Sequence, residues 1–119
     1  MDKRQIGTRY EFVAREYLEK EGYIILEMNF RSRIGEIDLI GIDGEYIAFV
    51  EVKYRTDSNK GTPLEAVDFF KQRKISNTAD YYCTTHGLTE FYNYRFDVVS
   101  IENGEVSLLK NAFEYCGGR

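Results

Sequence analysis

Two apolar segments joined by an Asp-Gly pair constrain the fold of this chain more than any other feature of its sequence. Asp-Gly is among the strongest short signals for a β-hairpin, because a type I′ turn needs positive φ at both of its central positions. The segments are rich in isoleucine, valine and phenylalanine, which favour strands. The pattern therefore predicts antiparallel strands over residues 36–42 and 46–53, with Asp43-Gly44 as the two-residue loop and Ile42 opposite Glu45.

This register divides the side chains of the hairpin between two faces, because opposed residues of antiparallel strands share a face. One face is wholly apolar and holds Ile37, Leu39, Tyr46, Ala48, Val50 and Val52. The other is apolar near the turn, with Ile40, Ile42, Ile47 and Phe49, and charged at its far end, with Glu36, Asp38, Glu51 and Lys53. A sheet that is apolar on both faces is covered on both. The charged end is therefore expected to lie in a cleft beside a helix.

The charged end brings together three carboxylates and one ammonium group. In this register Glu36 lies directly across from Glu51 with Asp38 on the diagonal, and like charges opposed across strands destabilise a sheet by up to about 1 kcal/mol. A divalent cation would balance the carboxylates. Their oxygens are hard ligands that suit Mg²⁺ or Mn²⁺, and no histidine or cysteine lies nearby in the sequence to favour zinc. The alternative is a solvated strand end whose charges pair with one another.

The remaining elements are predicted from periodicity and turn residues. An apolar stripe at helical spacing predicts a first helix over residues 4–21. Thr62, Pro63 and Glu65 suit a helix start with a capping box, and predict a second helix that ends near residue 82. Further strands are predicted over 23–30, 91–101 and 105–109, and a loop over 54–61. The order helix, three strands, helix, two strands predicts one α/β domain over residues 1–119, with a mixed central sheet flanked by helices.

Further polar side chains are candidates for the same cleft. Glu11 borders the apolar stripe of the first helix, so its carboxylate is either another metal or water ligand or a group that extends into solvent. Side chains that could follow a phosphate backbone are Arg31, Arg33, Arg55, Lys60, Lys71, Gln72, Arg73 and Lys74. The alternative for these is ordinary solvation of a basic surface. His86 is the single histidine and is given no role, and the sequence argues against catalytic-triad chemistry.

The formal net charge of −4 argues against a nucleic-acid partner, but the charges are unevenly distributed. Residues 31–74 carry eight basic and eight acidic side chains, and several of these acids are the candidate metal ligands. A bound cation would therefore make this middle third locally positive. Cys83 and Cys116 are far apart and predict free thiols in a reducing cytoplasm, and no apolar run is long enough to span a bilayer. The expected location is the cytoplasm, with no membrane partner.

The motifs of this chain resemble those of the YraN-like group of small bacterial proteins. The resemblance rests on residues 35–40 (Gly-Glu-Ile-Asp-Leu-Ile) and 49–53 (Phe-Val-Glu-Val-Lys), and continues through Arg55, Gly61, Pro63, residues 65–67, Lys71-Gln72 and residues 95–99. That group is placed in the restriction-endonuclease-like PD-(D/E)XK superfamily, and its nearest characterised relatives in shape are archaeal Holliday-junction resolvases. The resemblance implies an αβββαβ core in which Asp38 binds metal, Glu51 and Lys53 form the acidic-x-lysine element and Glu11 is the helix-borne glutamate. Tyr10 stands where the group usually has glycine, which predicts crowding next to Glu11.

The charged cleft and the resemblance together predict a Mg²⁺- or Mn²⁺-dependent endonuclease that cleaves nucleic acid, DNA in preference to RNA, with a branched substrate implied by the resolvase analogy. The expected catalytic residues are Lys53, Glu51, Asp38 and Glu11, and the expected metal ligands are Asp38, Glu51, Glu11 and Glu36. A symmetric homodimer would suit a branched substrate. Two alternatives remain open: a nucleic-acid-binding module that does not cleave, and a protein-interaction scaffold, which the acidic net charge would suit.

Overall fold

The computed structural model of the chain describes residues 3–55 and 67–118, with side chains from residue 9 onward. Along these described residues seven elements follow one another: α1 (Lys3–Lys20), β1 (Ile24–Arg31), β2 (Glu36–Asp43), β3 (Tyr46–Arg55), α2 (Phe69–His86), β4 (Asn93–Glu102) and β5 (Glu105–Phe113). This is the predicted order of helix, three strands, helix and two strands. The α/β fold class is confirmed.

The five strands form one mixed sheet in the order β1-β2-β3-β4-β5. The first three strands are antiparallel neighbours, β3 and β4 are parallel, and β5 is antiparallel to β4. Parallel neighbours need a crossover connection, and α2 lies in that connection. The arrangement is the αβββαβ core of the restriction-endonuclease-like fold, as predicted.

The hairpin between β2 and β3 forms, but its predicted register is wrong. Asp43 pairs with Tyr46, so the tight turn lies at Gly44-Glu45, with Gly44 at a φ of 62°. Asp43 stays in the strand because Arg95 and Lys110 donate hydrogen bonds to its carboxylate, at 2.7 and 2.9 Å. The shift relative to the predicted pairing is even, and an even shift leaves each residue on its face of the sheet.

Both faces of the sheet are covered, as predicted, one by each helix. In the cluster under α1, fully buried side chains are Ala14, Leu18, Leu39, Ala48, Val50 and Val99. The cluster under α2 includes Ile40, Ile47, Phe49, Ile75, Ala79, Tyr82, Phe96 and Val98. The charged ends of β2 and β3 therefore lie at one end of their strands, in a sheet that has a helix on each face.

Ile37 does not lie on the face predicted for it. It pairs with Phe30 of β1, and both side chains belong to the α2 cluster, whereas Met28 and Leu39 belong to the α1 cluster. Asn29, between Met28 and Phe30, has a φ of 55°. Asparagine tolerates this left-handed conformation, which interrupts the regular alternation of sides along a strand. The alternation of side chains between the two faces of the sheet is therefore interrupted beside Asp38.

The second helix begins later than predicted. Asp68 is extended, with φ −71° and ψ 172°, and its carboxylate caps the helix by accepting the Lys71 N–H at 2.8 Å. A continuous helix from residue 62 is therefore wrong, although Thr62, Pro63 and Glu65 themselves lie outside the described residues. The helix continues past residue 82 and ends at Gly87, whose φ is 67°. Strand β3 is also longer than predicted. Arg55 pairs with Glu102 of β4, so a loop does not begin at residue 54.

Two further sequence predictions concern the thiols and the membrane. Cys83 and Cys116 are both free, as predicted. Within residues 3–55 and 67–118, neither helix is long and apolar enough to cross a bilayer.

Candidate active site

The site forms where β2 and β3 stop pairing along their backbones. Their ladder runs from Asp43–Tyr46 to Leu39–Val50, and the next position along holds Asp38 on β2 and Glu51 on β3. There the Val52 N–H donates to Asp38 Oδ2 at 2.8 Å. A side-chain carboxylate thus takes a hydrogen bond that a backbone carbonyl takes in a regular ladder, which fixes the orientation of Asp38.

Asp38 is a carboxyl group in a desolvated and acidic environment. Burial and then the negative charge of Glu51 raise its pKa, to about 7, while the hydrogen bond from Val52 opposes the shift. The charge of Glu11, on α1, also raises this pKa. Helix α1 and strands β2 and β3 therefore bring three of the predicted acids within electrostatic reach of one another.

Two lysines approach the same oxygen of Glu51. Lys53 Nζ lies 3.5 Å and Lys71 Nζ 2.8 Å from Glu51 Oε1, whose side chain is only 11% exposed. Burial lowers the pKa of Lys53, and its hydrogen bond with Lys71 lowers it further. Burial also acts to lower the pKa of Lys71, but its hydrogen bonds to Glu51 and Lys53 outweigh this and raise it. The sequence analysis named Lys71 only as a candidate for phosphate binding and did not predict its pairing with Glu51.

Glu36 does not lie opposite Glu51, and this part of the sequence prediction is wrong because the register is shifted. Glu36 pairs with Arg31 of β1, both along the backbone and through an ion pair of 3.8 Å. Its side chain is 69% exposed. Asp38 occupies the position beside Glu51 that the sequence analysis had given to Glu36.

The carboxylates of the site are candidate oxygen ligands for a divalent cation. In the part of the chain that the structure describes, no three His, Cys, Asp or Glu side chains are grouped as a complete metal site. Mg²⁺, however, commonly binds through one or two carboxylates and completes its shell with water and substrate phosphate. The adjacent carboxylates of Asp38 and Glu51 fit that requirement, with Glu11 as a nearby third acid.

The predicted phosphate-binding residues divide into two groups. Four of them line a single cavity of about 410 Å³ between the β1–β2 turn and α2: Arg31, Arg33, Lys71 and Lys74. The others have partners within the protein. Arg55 pairs with Glu102 at 3.8 Å, Gln72 donates to the Val67 carbonyl at 2.8 Å, and Arg73 donates to the Gly118 carbonyl at 2.7 Å. Lys60 lies outside the described residues.

Tyr10 and Asp97 also have defined positions. The ring of Tyr10 stacks on that of Tyr54, with centroids 3.8 Å apart, at the end of β3. Asp97 is fully buried and accepts hydrogen bonds from Tyr23, Arg95 and the Asn111 N–H. Arg95 of this network reaches Asp43 beside the β2–β3 turn, whereas Asp97 itself pairs along the backbone with Val50, the residue before Glu51. Sequence reasoning did not find these partners, since Tyr23 precedes β1 and Asn111 lies on β5.

Comparison with known proteins identifies relatives over almost the whole chain. The family model described as "Uncharacterised protein family UPF0102" matches residues 10–101. A UPF0102 protein of Lachnoclostridium phytofermentans is 47% identical over 117 residues, which covers 98% of this chain and 99% of that protein. UPF0102 proteins of Clostridium tetani and Clostridium botulinum are 46% and 41% identical, each covering 93% of this chain and 95% of the relative. The range matched by the family model includes Glu11, Asp38, Glu51, Lys53 and Lys71.

Proposed function

The chain belongs to the UPF0102 family, the YraN-like group that its motifs predicted, and from the geometry of its own site we propose that it is a Mg²⁺- or Mn²⁺-dependent nuclease. It would hydrolyse phosphodiester bonds in nucleic acid, DNA in preference to RNA. One observation carries the proposal: two adjacent, largely buried carboxylates, Asp38 and Glu51, lie beside a lysine whose pKa is lowered. A two-fold homodimer acting on a branched substrate belongs to the same proposal.

The carboxylates of Asp38 and Glu51 would hold the cation, with Glu11 beside them. Bound there, the ion would supply Lewis acidity toward the scissile phosphate and lower the pKa of a water molecule. The hydrogen bond from Val52 holds the Asp38 carboxylate in one orientation. Because the pKa of Asp38 is about 7, this carboxyl is partly protonated at neutral pH, and cation binding favours its ionised form.

Lys53 is the proposed proton carrier. Its lowered pKa makes a larger fraction of its amine neutral at a given pH, and a neutral amine can accept a proton from the attacking water. The ammonium group that results can offset the charge that develops on the phosphate. Lys71, on the other side of Glu51 Oε1, keeps its positive charge and faces the cavity that contains Arg31 and Arg33.

The test is cleavage of supercoiled plasmid and of a four-way junction with Mn²⁺, comparing wild type with Asp38→Asn and Lys53→Met. Both variants are expected to lose cleavage, Lys53→Met by about 10²–10⁴-fold, as for removal of a general base. Glu105→Gln, which changes an exposed glutamate at the start of β5, is the matched control and should cleave normally. Cleavage that persists in EDTA, or that Asp38→Asn leaves unchanged, would contradict the proposal.

A second candidate is a nucleic-acid-binding module that does not cleave. The observation that favours it is the 2.8 Å ion pair of Lys71 with Glu51, since an ammonium group can balance the carboxylate without any metal. Calorimetric titration of Mn²⁺ into wild type and Asp38→Asn separates the two candidates. Metal binding that disappears in the variant supports the nuclease, whereas retained DNA binding with no metal binding and no cleavage supports the module.

A further inference from the structure

The turn between β1 and β2 separates two cavities that share one wall. The first, of about 410 Å³, lies toward the start of α2 and includes Lys71, which touches Glu51. The second, of about 440 Å³, lies toward the end of α2. Residues 31–34 line both. The two cavities therefore lie side by side along α2, the first of them beside the candidate active site, and each is within the size range of small-ligand pockets.

The shared wall is rigid. The N–H and hydroxyl of Ser32 both donate to the Gly35 carbonyl, at 2.9 and 3.0 Å, and the Ser32 hydroxyl oxygen accepts the Gly35 N–H at 3.3 Å. Gly35 lies so close to α2 that a Cβ added to it would be 2.7 Å from Thr78 Oγ1. A ligand would thus meet a preformed surface, and binding would not have to order this turn.

The first cavity is strongly basic. Within residues 3–55 and 67–118, its wall contains the four cationic side chains Arg31, Arg33, Lys71 and Lys74 and one carboxylate, Glu36. Glu36 pairs with Arg31, and Lys71 with Glu51, which leaves the cavity with a surplus of positive charge. On a chain whose net charge is −4, this is a localised site for an anion, and its position next to Asp38 and Glu51 suits a phosphate group.

The second cavity combines arginines with aromatic rings. The described residues that line it include Arg31, Arg33, Phe30, Tyr81 and His86, and none of those described carries a carboxylate. The His86 ring lies against Tyr82 at a centroid distance of 4.0 Å, with its Nδ1 2.8 Å from the Tyr82 carbonyl oxygen, so it is held in one orientation. Tyr81 is 42% exposed. Aromatic rings beside basic groups are the surfaces on which single-stranded nucleic acids stack their bases.

We propose that these two cavities bind one unpaired nucleotide of the nucleic-acid substrate, with its phosphate in the basic cavity and its base against Tyr81 and His86. The inference rests on the nucleic-acid specificity of the proposed function and adds to it the class of substrate: a strand with an unpaired segment next to the cleaved bond. A base inside a duplex has both faces covered by its neighbours, so only an unstacked base can enter such a cavity. Single-stranded DNA and single-stranded RNA both offer an unstacked base next to a phosphate group.

The test is binding measured by fluorescence anisotropy in EDTA, so that no cleavage occurs. The probes are a labelled oligothymidine, the matching oligouridine and a duplex of the same length. Wild type should bind one of the single strands at least ten-fold more tightly than the duplex, and the two single strands show whether DNA or RNA is preferred. Tyr81→Ala should weaken binding of that strand about ten-fold or more, whereas Tyr81→Phe, which keeps a ring for stacking, should bind like wild type.

The phosphate contact has its own readout. Arg33→Gln should reduce the slope of log affinity against log salt by about 0.7, the value for one lost contact with a single strand. Phe91→Ala removes an exposed ring outside both cavities, and Lys20→Gln removes an exposed charge at the end of α1. Both controls should bind as wild type does, and thermal unfolding of all variants should show that they remain folded.

The outcomes distinguish this inference from the proposed function. Equal binding of duplex and single strand, or unchanged single-strand binding by Tyr81→Ala, would overturn the inference while cleavage of plasmid or junction still supported the nuclease. Failure to bind any of the probes at low salt, together with no cleavage, would remove both. A single-strand preference that Tyr81→Ala abolishes, in a protein that does not cleave, would support the cavities and leave the non-cleaving module as the function.

Discussion

The ionised form of Asp38, which would bind a metal ion, is also the form that destabilises the folded protein. Its pKa is about 7 in the folded protein against an ordinary value of 3.8. Between these values the folded protein keeps a proton that the unfolded chain has lost, so stability falls as pH rises through that window, and the loss is complete above pH 7. A bound cation would offset this loss of stability, because it favours the ionised carboxylate.

Asp38→Asn should therefore stabilise the protein without metal, and only at neutral and alkaline pH. Asparagine still offers an oxygen to the Val52 N–H but cannot ionise. The gain should be on the order of 2–4 kcal/mol at pH 8 and close to zero at pH 4. Urea unfolding of both proteins in EDTA across this range measures it. Groups that do not interact with Asp38 titrate alike in both proteins and cancel in the difference. A gain that does not change with pH would contradict a raised pKa for Asp38.

Lys71 should compete with a metal ion for Glu51. Its ammonium group lies 2.8 Å from Glu51 Oε1, so Lys71→Met should strengthen Mn²⁺ binding on the order of ten-fold by removing a nearby positive charge. Calorimetric titration measures the effect. Lys74→Met is the matched control, because Lys74 lies one turn further along the same exposed helix face and should leave Mn²⁺ affinity nearly unchanged. Weaker Mn²⁺ binding by Lys71→Met would mean that Lys71 supports the metal site.

At the scale of elements, the β1–β2 turn and α2 fit together through a glycine. A Cβ on Gly35 would lie 2.7 Å from Thr78 Oγ1 and 3.2 Å from Lys74 Cγ. Thr78 cannot turn away without cost, because its hydroxyl donates to the Lys74 carbonyl at 2.7 Å. The turn that forms the wall of both cavities is therefore positioned by the absence of a side chain.

Gly35→Ala should destabilise the protein by about 1–3 kcal/mol, as overpacking does, and should weaken single-strand binding by displacing the turn. Chemical denaturation measures the first effect and anisotropy the second. The control is a double-mutant cycle with Thr78→Ala, which removes the atom that the new methyl group would meet. A cost for Gly35→Ala that is the same in both backgrounds would show that Thr78 is not the cause.

At the scale of the whole molecule, a buried ionic network centred on Asp97 joins strands β2, β4 and β5. Asp97, fully buried on β4, accepts hydrogen bonds from Tyr23 before β1, from Arg95 and from the Asn111 N–H on β5. Arg95 in turn donates to Asp43 at the end of β2. The network thus joins three strands and the residue before β1, and because the Asp97 carboxylate is paired with Arg95 within the protein, its role is structural.

Asp97→Asn should cost about 3–5 kcal/mol of unfolding free energy, because it leaves Arg95 partly unpaired and Tyr23 without its acceptor in a buried place. Urea unfolding at pH 7 measures the loss. Mn²⁺ binding and cleavage per folded molecule should stay at wild-type values, since Asp97 accepts hydrogen bonds from Tyr23, Arg95 and Asn111, and Asp38 accepts its own from Val52. A variant that is stable but inactive would instead connect this network to the chemistry.

The sequence alone determined the order of the elements, the hairpin, the coverage of both sheet faces and the family. These features depend on short stretches of chain: Gly44 supplies the left-handed residue of the turn, and the alternation around Phe49 and Val50 needs only neighbours within the same hairpin. The same alternation of side chains predicts that Asp38, Glu51 and Lys53 lie on one face, at one end of the two strands. That prediction survived the register error because the error was even.

The tertiary structure decided the features that depend on residues far apart in the sequence. Arg95 and Lys110 hold Asp43 within its strand and so set the register, while Asp68 moves the start of α2 toward the C-terminus. The pairing of Lys71 with Glu51 and the two cavities behind the β1–β2 turn exist only because α2 packs against the sheet beside that turn. Local propensity carries no information about such contacts, because their free energy arises only when distant segments are brought together.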